Sequence, residues 1–218
     1  MSEIIYTPSV FDKDSILEAK SIILTDEDST TEERWEKETP YVAQRAINFM
    51  DINSESLIVD FGCGIGRIAR ELIEKTGCCV LGVDISNSMR SQALEYVNDE
   101  RFSTVSPDLL VQMIKKGFRV DGVISVWVLQ HIPQPDRQLN MLYHLLKKEG
   151  KIFLLNNLRS ALPTNAGWID EGTDIKAALD PYFEEAFMDR LPLMVSSEKI
   201  CENSFLAGYI RRESVQGN

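Results

Sequence analysis

Val59-Asp60-Phe61-Gly62-Cys63-Gly64-Ile65-Gly66-Arg67 sets a carboxylate and three alternating glycines at the end of a short apolar run. Glycines there let the chain turn tightly and bring backbone N–H groups near a ligand with no Cβ in between. The spacing is GxGxG, and Arg67 stands where the dinucleotide fingerprint GxGxxG carries its last glycine. A pyrophosphate would meet the negative charge of Asp60, whereas a ligand bearing an ammonium and a sulfonium would be drawn to it. About 20 residues past the middle glycine, Leu81-Gly82-Val83-Asp84-Ile85-Ser86 ends a second apolar run in an acid, a spacing that suits the hydroxyls of a ribose. The plainer alternative for Asp84 is a helix-capping acid. Ile85 would then lie against one face of an adenine. A third run, Asp121 to Ile132, leaves a strand for a short apolar segment holding His131. His131 is the candidate general base if an acceptor must lose a proton. Its plainer role is packing near Pro133 with a ring nitrogen on a backbone carbonyl.

The elements that must position these groups follow a regular alternation. Thr39 caps a helix with Pro40 at its first position, and Val42, Ala43, Ala46, Ile47 and Met50 recur at helical spacing. Leu57 to Phe61 reads as a central parallel strand buried on both faces. The helix after it carries Ile68, Ala69, Leu72 and Ile73, and Gly77 is its left-handed cap. Strands follow at Cys79 to Val83, Phe102 to Val105, Gly122 to Val126 and Lys151 to Leu155, with helices opened by Ser86, Ser106 and Asp136 between them. This rhythm implies right-handed crossovers and helices on both faces of a sheet. In the tail, a short helix around Thr173 to Ala178 precedes strands at Phe183 to Met188 and Phe205 to Arg211. Their connection is too short for a full crossover, so an antiparallel pair completes the sheet. The expected fold is α/β, a Rossmann-like doubly wound seven-stranded sheet, mostly parallel with an antiparallel C-terminal hairpin.

In order and spacing, the stretch from Leu57 to Asn157 resembles the class I S-adenosylmethionine-dependent methyltransferases. The resemblance implies S-adenosylmethionine as cofactor. Asp60, Gly62, Gly64 and Gly66, with Arg67 following, match the motif that holds the methionine moiety, and Asp84 matches the ribose-binding acid. The resemblance also places an acid near the adenine amine after the third strand. Asp108 is the nearest match, and is equally a first-turn acid on a helix dipole. The backbone around Ser125 and Val126 would accept a hydrogen bond from the cofactor's amino group. Residues 1–39 are expected to form an arm or lid, mobile through its acidic stretch from Thr25 to Glu38, with Glu33 to Glu36 over the cofactor. Residues 40–218 form the methyltransferase domain, with an acceptor loop at about 156–172. Asn156, Asn157 and Arg159 offer polar contacts there, and Trp35 and Trp168 could wall an apolar pocket. A nicotinamide-dependent oxidoreductase and a non-catalytic binder of the same cofactor are the alternatives. Asp60 and Arg67 argue against the first.

The 218 residues suffice for one well-buried domain, and a formal charge of −11 repels phosphate backbones and anionic headgroups. The expected partner is a small-molecule acceptor, with no nucleic acid and no membrane. The first residues lack a basic start and an apolar core, and no apolar run reaches the ~18 residues of a spanning helix. Cys63, Cys78, Cys79 and Cys201 show no CxxC spacing and only two histidines accompany them, so no metal site and a cytoplasmic location are expected. Oligomeric state and the attacking atom stay open at this level.

Overall fold

A computed structural model describes residues 3–22 and 30–215. Nine strands and eight α-helices of the described residues build it. They are β1 (Leu57–Phe61), β2 (Cys79–Val83), β3 (Phe102–Val105), β4 (Val120–Val126), β5 (Leu146–Asn157), β6 (Leu162–Thr164), β7 (Gly167–Ile169), β8 (Phe183–Asp189) and β9 (Ser204–Arg211). The helices are α1 (Ile16–Lys20), α2 (Thr31–Met50), α3 (Arg67–Thr76), α4 (Asn87–Val97), α5 (Pro107–Lys115), α6 (Asp136–Leu145), α7 (Ile175–Leu179) and α8 (Glu198–Asn203). Seven strands form one sheet in the order β3-β2-β1-β4-β5-β9-β8. The first five are mutually parallel, while β9 runs antiparallel to both β5 and β8. The expected architecture is the observed one.

Strand alternation divides the interior into two layers. Ile58, Ile124 and Phe153 face α2 and α3, whereas Val59, Val123 and Ile152 face α5 and α6. The chain travels outward from β1 through β2 to β3, then crosses back to β4 on the other side of β1. This reversal opens a crevice at the carboxyl ends of β1 and β4, the place where open α/β sheets take ligands.

The structure corrects the N-terminal reading. α2 is capped not by Thr39 but by Thr30, nine residues earlier, so a domain boundary at residue 39 falls inside a helix. Thr30 Oγ1 accepts from the Glu33 N–H at 3.1 Å, and Glu33 Oε2 accepts from the Thr30 N–H at 3.0 Å. This capping box starts the helix, and Pro40 sits in its interior although it removes one donor there. Within the acidic stretch, Asp26, Glu27 and Asp28 lie outside the described residues. Glu38 is fully buried in the helix, not part of a mobile arm.

Glu38, two residues before that proline, anchors α2 to its neighbours. Its Oε2 accepts from Arg34 Nη2 at 2.7 Å, and its Oε1 accepts from Arg67 Nη2 at 2.8 Å and from Trp127 Nε1 at 2.7 Å. Burial alone would raise its carboxyl, yet Arg67 and Arg34 outweigh that and hold it below the ordinary range. One carboxylate thus ties α2 to the start of α3 and to the end of β4. Glu38→Gln keeps the shape but buries two guanidinium groups without their counter-charge. The expected loss is about 3–5 kcal/mol of unfolding free energy in a urea titration. A loss below about 1 kcal/mol, the worth of an exposed pair, would mean that apolar contacts alone hold α2.

Candidate functional site

At the crevice the three glycines take positive φ: 77° at Gly62, 53° at Gly64 and 84° at Gly66. A Cβ on Gly62 would sit 2.2 Å from Val128 Cγ2, so the turn can close only around glycine. At Gly64 a Cβ would meet nothing within 4 Å, and this residue lines a cavity of about 890 Å³. That volume lies in the range of small-molecule and cofactor sites.

The turn's amides are not held out to a ligand, contrary to the sequence expectation. Gly62 and Cys63 donate to the Val83 carbonyl at 2.7 and 3.1 Å, and Gly66 donates to the Cys63 carbonyl at 2.8 Å. Gly64 donates to Asp84 Oδ2 at 2.9 Å. The reason is local: β1 and β2 are adjacent and parallel, so the end of β2 lies under the turn. A pyrophosphate would find these four donors already used.

Asp84 lines the cavity, with Oδ2 on the Gly64 N–H and Oδ1 on the Ser86 N–H at 2.9 Å. Each oxygen retains acceptor capacity toward the cavity. Burial raises its carboxyl, against the two backbone donors and Arg90. Ile85 is 61% exposed and Asp108, in the first turn of α5, is exposed as well; both line the cavity. Val126 lines it at the end of β4.

Asp60 and Arg67 sit differently from their expected roles. Asp60 is buried beneath the turn and is not among the lining residues, and its Oδ2 has no partner. Burial pushes its carboxyl up to about 7, against a backbone hydrogen bond from Ala69 and the charge of Arg67. Arg67 lines the cavity, but its guanidinium is committed to Glu38 and, at 3.2 Å, to Thr39 Oγ1. It forms part of the wall, stacked over Trp35 with 5.5 Å to the ring centre.

His131 lies at the other end of the same cavity. Its Nδ1 is 2.6 Å from the Ala161 carbonyl, which can only accept, so Nδ1 carries the proton. Nε2 is then the acceptor, 3.3 Å from Gln130 Nε2. Burial lowers the basicity of the ring, and the Ala161 bond opposes this. Phe11 and Trp168 flank the ring with centroids at 5.1 and 5.3 Å. His131 thus packs and bonds a carbonyl through Nδ1, and its Nε2 lone pair accepts from Gln130, a contact that must be given up for Nε2 to take a proton from an acceptor.

Several residues of the site carried no sequence signal. Trp127 leaves β4 with φ 62°, a left-handed conformation costly for a bulky side chain, and is held there by Glu38. Gln130 is buried and accepts the Ala161 and Asn157 N–H groups, fastening β5 and the following loop to the end of β4. That loop contains the hairpin β6–β7, which pairs with the N-terminus through Tyr6 and Thr164. Thr7 donates to the Pro163 carbonyl at 2.9 Å, and Tyr6 Oη donates to the His131 carbonyl at 2.9 Å. Of the loop's polar candidates, Asn157 lines the cavity, Asn156 is buried as an acceptor for Gln130, and Arg159 is not among the lining residues. Trp35 and Trp168 both line it.

Comparisons agree with this geometry. A family described as "Methyltransferase domain" matches residues 59–152. Phosphoethanolamine N-methyltransferase 2 of Caenorhabditis elegans is 33% identical over 109 residues, covering 49% of this chain and 25% of that protein. The 18S rRNA (guanine-N(7))-methyltransferase bud23 of Schizosaccharomyces pombe is 36% identical over 105 residues, 46% of this chain and 37% of its own length. The chain thus spans less than half the length of either relative. The crystal structure of magnesium protoporphyrin IX methyltransferase from Synechocystis PCC 6803, with bound SAH, shares the fold with a TM-score of 0.61 at 19% identity, covering 90% of this chain and 94% of that one.

The buried carboxyl of Asp60 gives a pH test. It binds its proton more tightly folded, at about 7, than unfolded, at about 3.9. The stability it contributes is complete below about 4 and is lost as pH rises through about 7. Unfolding free energy measured from pH 5 to pH 8 should fall across that window in the native chain and stay flatter in Asp60→Asn. Parallel pH curves for the two would place the ionisation elsewhere.

Proposed function

We propose that the chain, whose residues 59–152 match a methyltransferase domain, is a class I S-adenosylmethionine-dependent methyltransferase that binds this cofactor at the glycine turn and methylates a small molecule. The observation that carries this reading is the continuity of one cavity from Gly64 and Asp84 to His131 and Trp168. A cofactor at the turn leaves space beyond it for an acceptor, which a site for the cofactor alone would not need.

The residues present fit that cofactor. Gly64 leaves open the space a side chain would fill, and behind the turn lies the partnerless oxygen of Asp60, a carboxyl raised to about 7 by burial whose ionised form a bound cation would favour. Asp84 would accept the ribose hydroxyls, Ile85 would cover the adenine, and Asp108 and the Val126 backbone lie along the same wall. Asp60 would act on the ammonium group through the turn, since it does not line the cavity. When bound, the cofactor supplies a methyl group on an activated sulfonium. The protein's own part is to orient the acceptor and exclude water, for which correct placement is worth roughly 7–11 kcal/mol. His131 would take a proton at Nε2 from an acceptor that must lose one.

The nicotinamide alternative is weakened by the internally satisfied amides of Gly62, Cys63, Gly64 and Gly66. A small acceptor is favoured over RNA by the −11 charge of the chain and by a recessed, largely apolar site. Among the described residues no helix is long and apolar enough to cross a membrane. Four unpaired cysteines suit a reducing, cytoplasmic setting.

Isothermal calorimetry with S-adenosylhomocysteine and with NAD tests the cofactor. Binding of S-adenosylhomocysteine is expected, and Asp84→Ala should weaken it by about 1–3 kcal/mol, the cost of unpaired polar groups. Binding of NAD alone would overturn the assignment.

A further inference from the structure

Gln130, just after β4, is only 3% exposed, so any polar group it left unpaired would be costly. Each of them has a partner. Its N–H donates to Asn156 Oδ1 at 3.2 Å, its carbonyl accepts from the Ala161 N–H at 2.7 Å, and its Oε1 accepts from the Asn157 N–H at 3.1 Å. The side-chain NH2 is what remains, and it lies 3.3 Å from His131 Nε2. The Asn157 bond fixes which way this amide faces. A backbone N–H can only donate, so the atom opposite it is the oxygen, and the nitrogen is turned to the imidazole.

An NH2 group can only donate, so His131 Nε2 must accept. On the other side of the ring the Ala161 carbonyl, at 2.6 Å, can only accept, so Nδ1 must carry the hydrogen. Two fixed partners thus select one tautomer. They also discriminate between charge states: an imidazolium carries a hydrogen on both nitrogens, and its Nε2–H would face the Gln130 NH2, donor against donor. The remaining contacts of His131 bring no charge. Phe11 and Trp168 flank the ring, and Tyr6 reaches the His131 carbonyl with a hydroxyl that burial keeps protonated. Burial lowers the basicity of the ring and the Ala161 carbonyl raises it; no charged side chain of the cavity wall is a third influence. A glutamate in place of Gln130 would reverse the design, since its carboxylate would accept from both the Asn157 N–H and an Nε2–H and would draw a proton onto the ring.

Resting on the reading of His131 as the base of a methyltransferase, we propose that Gln130 is its positioning residue: the amide, oriented by the Asn157 N–H, holds the ring neutral with its lone pair on Nε2. The Gln130 contact is long for a hydrogen bond and the Ala161 contact short. An O–H or N–H of an acceptor can therefore replace the amide hydrogen at Nε2 while Nδ1 stays fixed. A proton passed to Nε2 then meets the same NH2, so the imidazolium is disfavoured and releases the proton to solvent, which restores the base.

The test is nuclear magnetic resonance of the histidine rings in the full chain. It has two histidines, and a His144→Gln variant of the exposed one assigns the signals of His131. Long-range hydrogen–nitrogen correlations read the tautomer. In the native chain the hydrogen is expected on Nδ1, with a titration midpoint below the ordinary value of about 6.5. Gln130→Glu should raise that midpoint by about 1 to 3, the effect of an opposite charge in contact, and leave His144 where it is. A Gln130 that only fills space would leave both midpoints unmoved, because the glutamate has the same shape. The side-chain NH2 signal of native Gln130 should also shift with the His131 midpoint, a readout that needs no variant to fold. An Nε2–H tautomer in the native chain, an unmoved midpoint in Gln130→Glu, or a Gln130 amide signal indifferent to the His131 titration overturns the proposal. Calorimetry with S-adenosylhomocysteine runs beside it. Binding of that ligand by a chain with the wrong tautomer overturns the proposal and leaves the methyltransferase reading intact. The expected ring behaviour in a chain that refuses S-adenosylhomocysteine supports the positioning by Gln130 and defeats the cofactor reading.

Discussion

A single carboxylate, Glu38, determines how the site is walled. It has no exposed surface and is bound by Arg34, Arg67 and the Trp127 indole. Buried ion pairs of this kind seldom add much stability over apolar packing, because desolvation consumes the Coulombic gain. What they impose is position. Arg67 is the first residue after the glycine turn, and Trp127 is the first after β4. Glu38 therefore fixes both edges of the crevice against one helix. Trp127 pays for a left-handed backbone, and its hydrogen bonds to Glu38 and to the Leu155 carbonyl at 2.7 Å hold it there.

The glycine turn obeys the same economy of polar groups. With the amides of Gly62, Cys63, Gly64 and Gly66 satisfied by Val83, Asp84 and Cys63, these four donors are not available to the cavity. Such a turn is poorly suited to phosphate. Asp84 closes the turn and faces the cavity at once, so its geometry is set before any ligand arrives. Asp60 Oδ2 and Ser125 Oγ, near the ends of β1 and β4, are buried without a hydrogen-bond partner among the described residues, and uncompensated polar atoms at such a crevice mark function more than folding.

The sheet and the turn were legible in the sequence because both have strong local causes. Short apolar runs, closed by Gly62 after β1 and Asp84 after β2, with Ser86 and Ser106 as caps, place β1 to β4 and α3 to α5 to within about two residues. The N-terminal third was misread for an equally definite reason. Pro40 is a strong local signal for a helix start, and it outweighed the Thr30–Glu33 capping box, whose effect depends on burial of Glu38 far along the helix. Arg67 was read as a residue facing the ligand because nothing in the sequence pairs it with Glu38, 29 positions away. The hairpin β6–β7 was invisible as well: its strands are three residues long and gain their stability by pairing with residues 5–7.

Most of these misreadings share a location, and that location separates the two jobs of the molecule. What was correctly placed lies mainly on the seven-stranded sheet, its antiparallel β8–β9 pair included, where hydrophobic burial dictates register and the cofactor end is built from strand termini. The misplaced elements, the first turns of α2 and the hairpin, lie in segments that cover the sheet's edge, while at the turn itself it is the side chains of Asp60 and Arg67 that depart from their expected roles. Residues 3–22, paired with that hairpin, meet the rest of the domain through a few specific bonds, such as Tyr6 Oη to the His131 carbonyl and Gln92 Nε2 to the Lys13 carbonyl at 2.6 Å. Their side chains can change without disturbing the register of β1 to β5. A scaffold so divided keeps its cofactor chemistry while its acceptor wall varies, which is why the fold identifies the first and the second has to be argued from Phe11, His131 and Trp168 themselves.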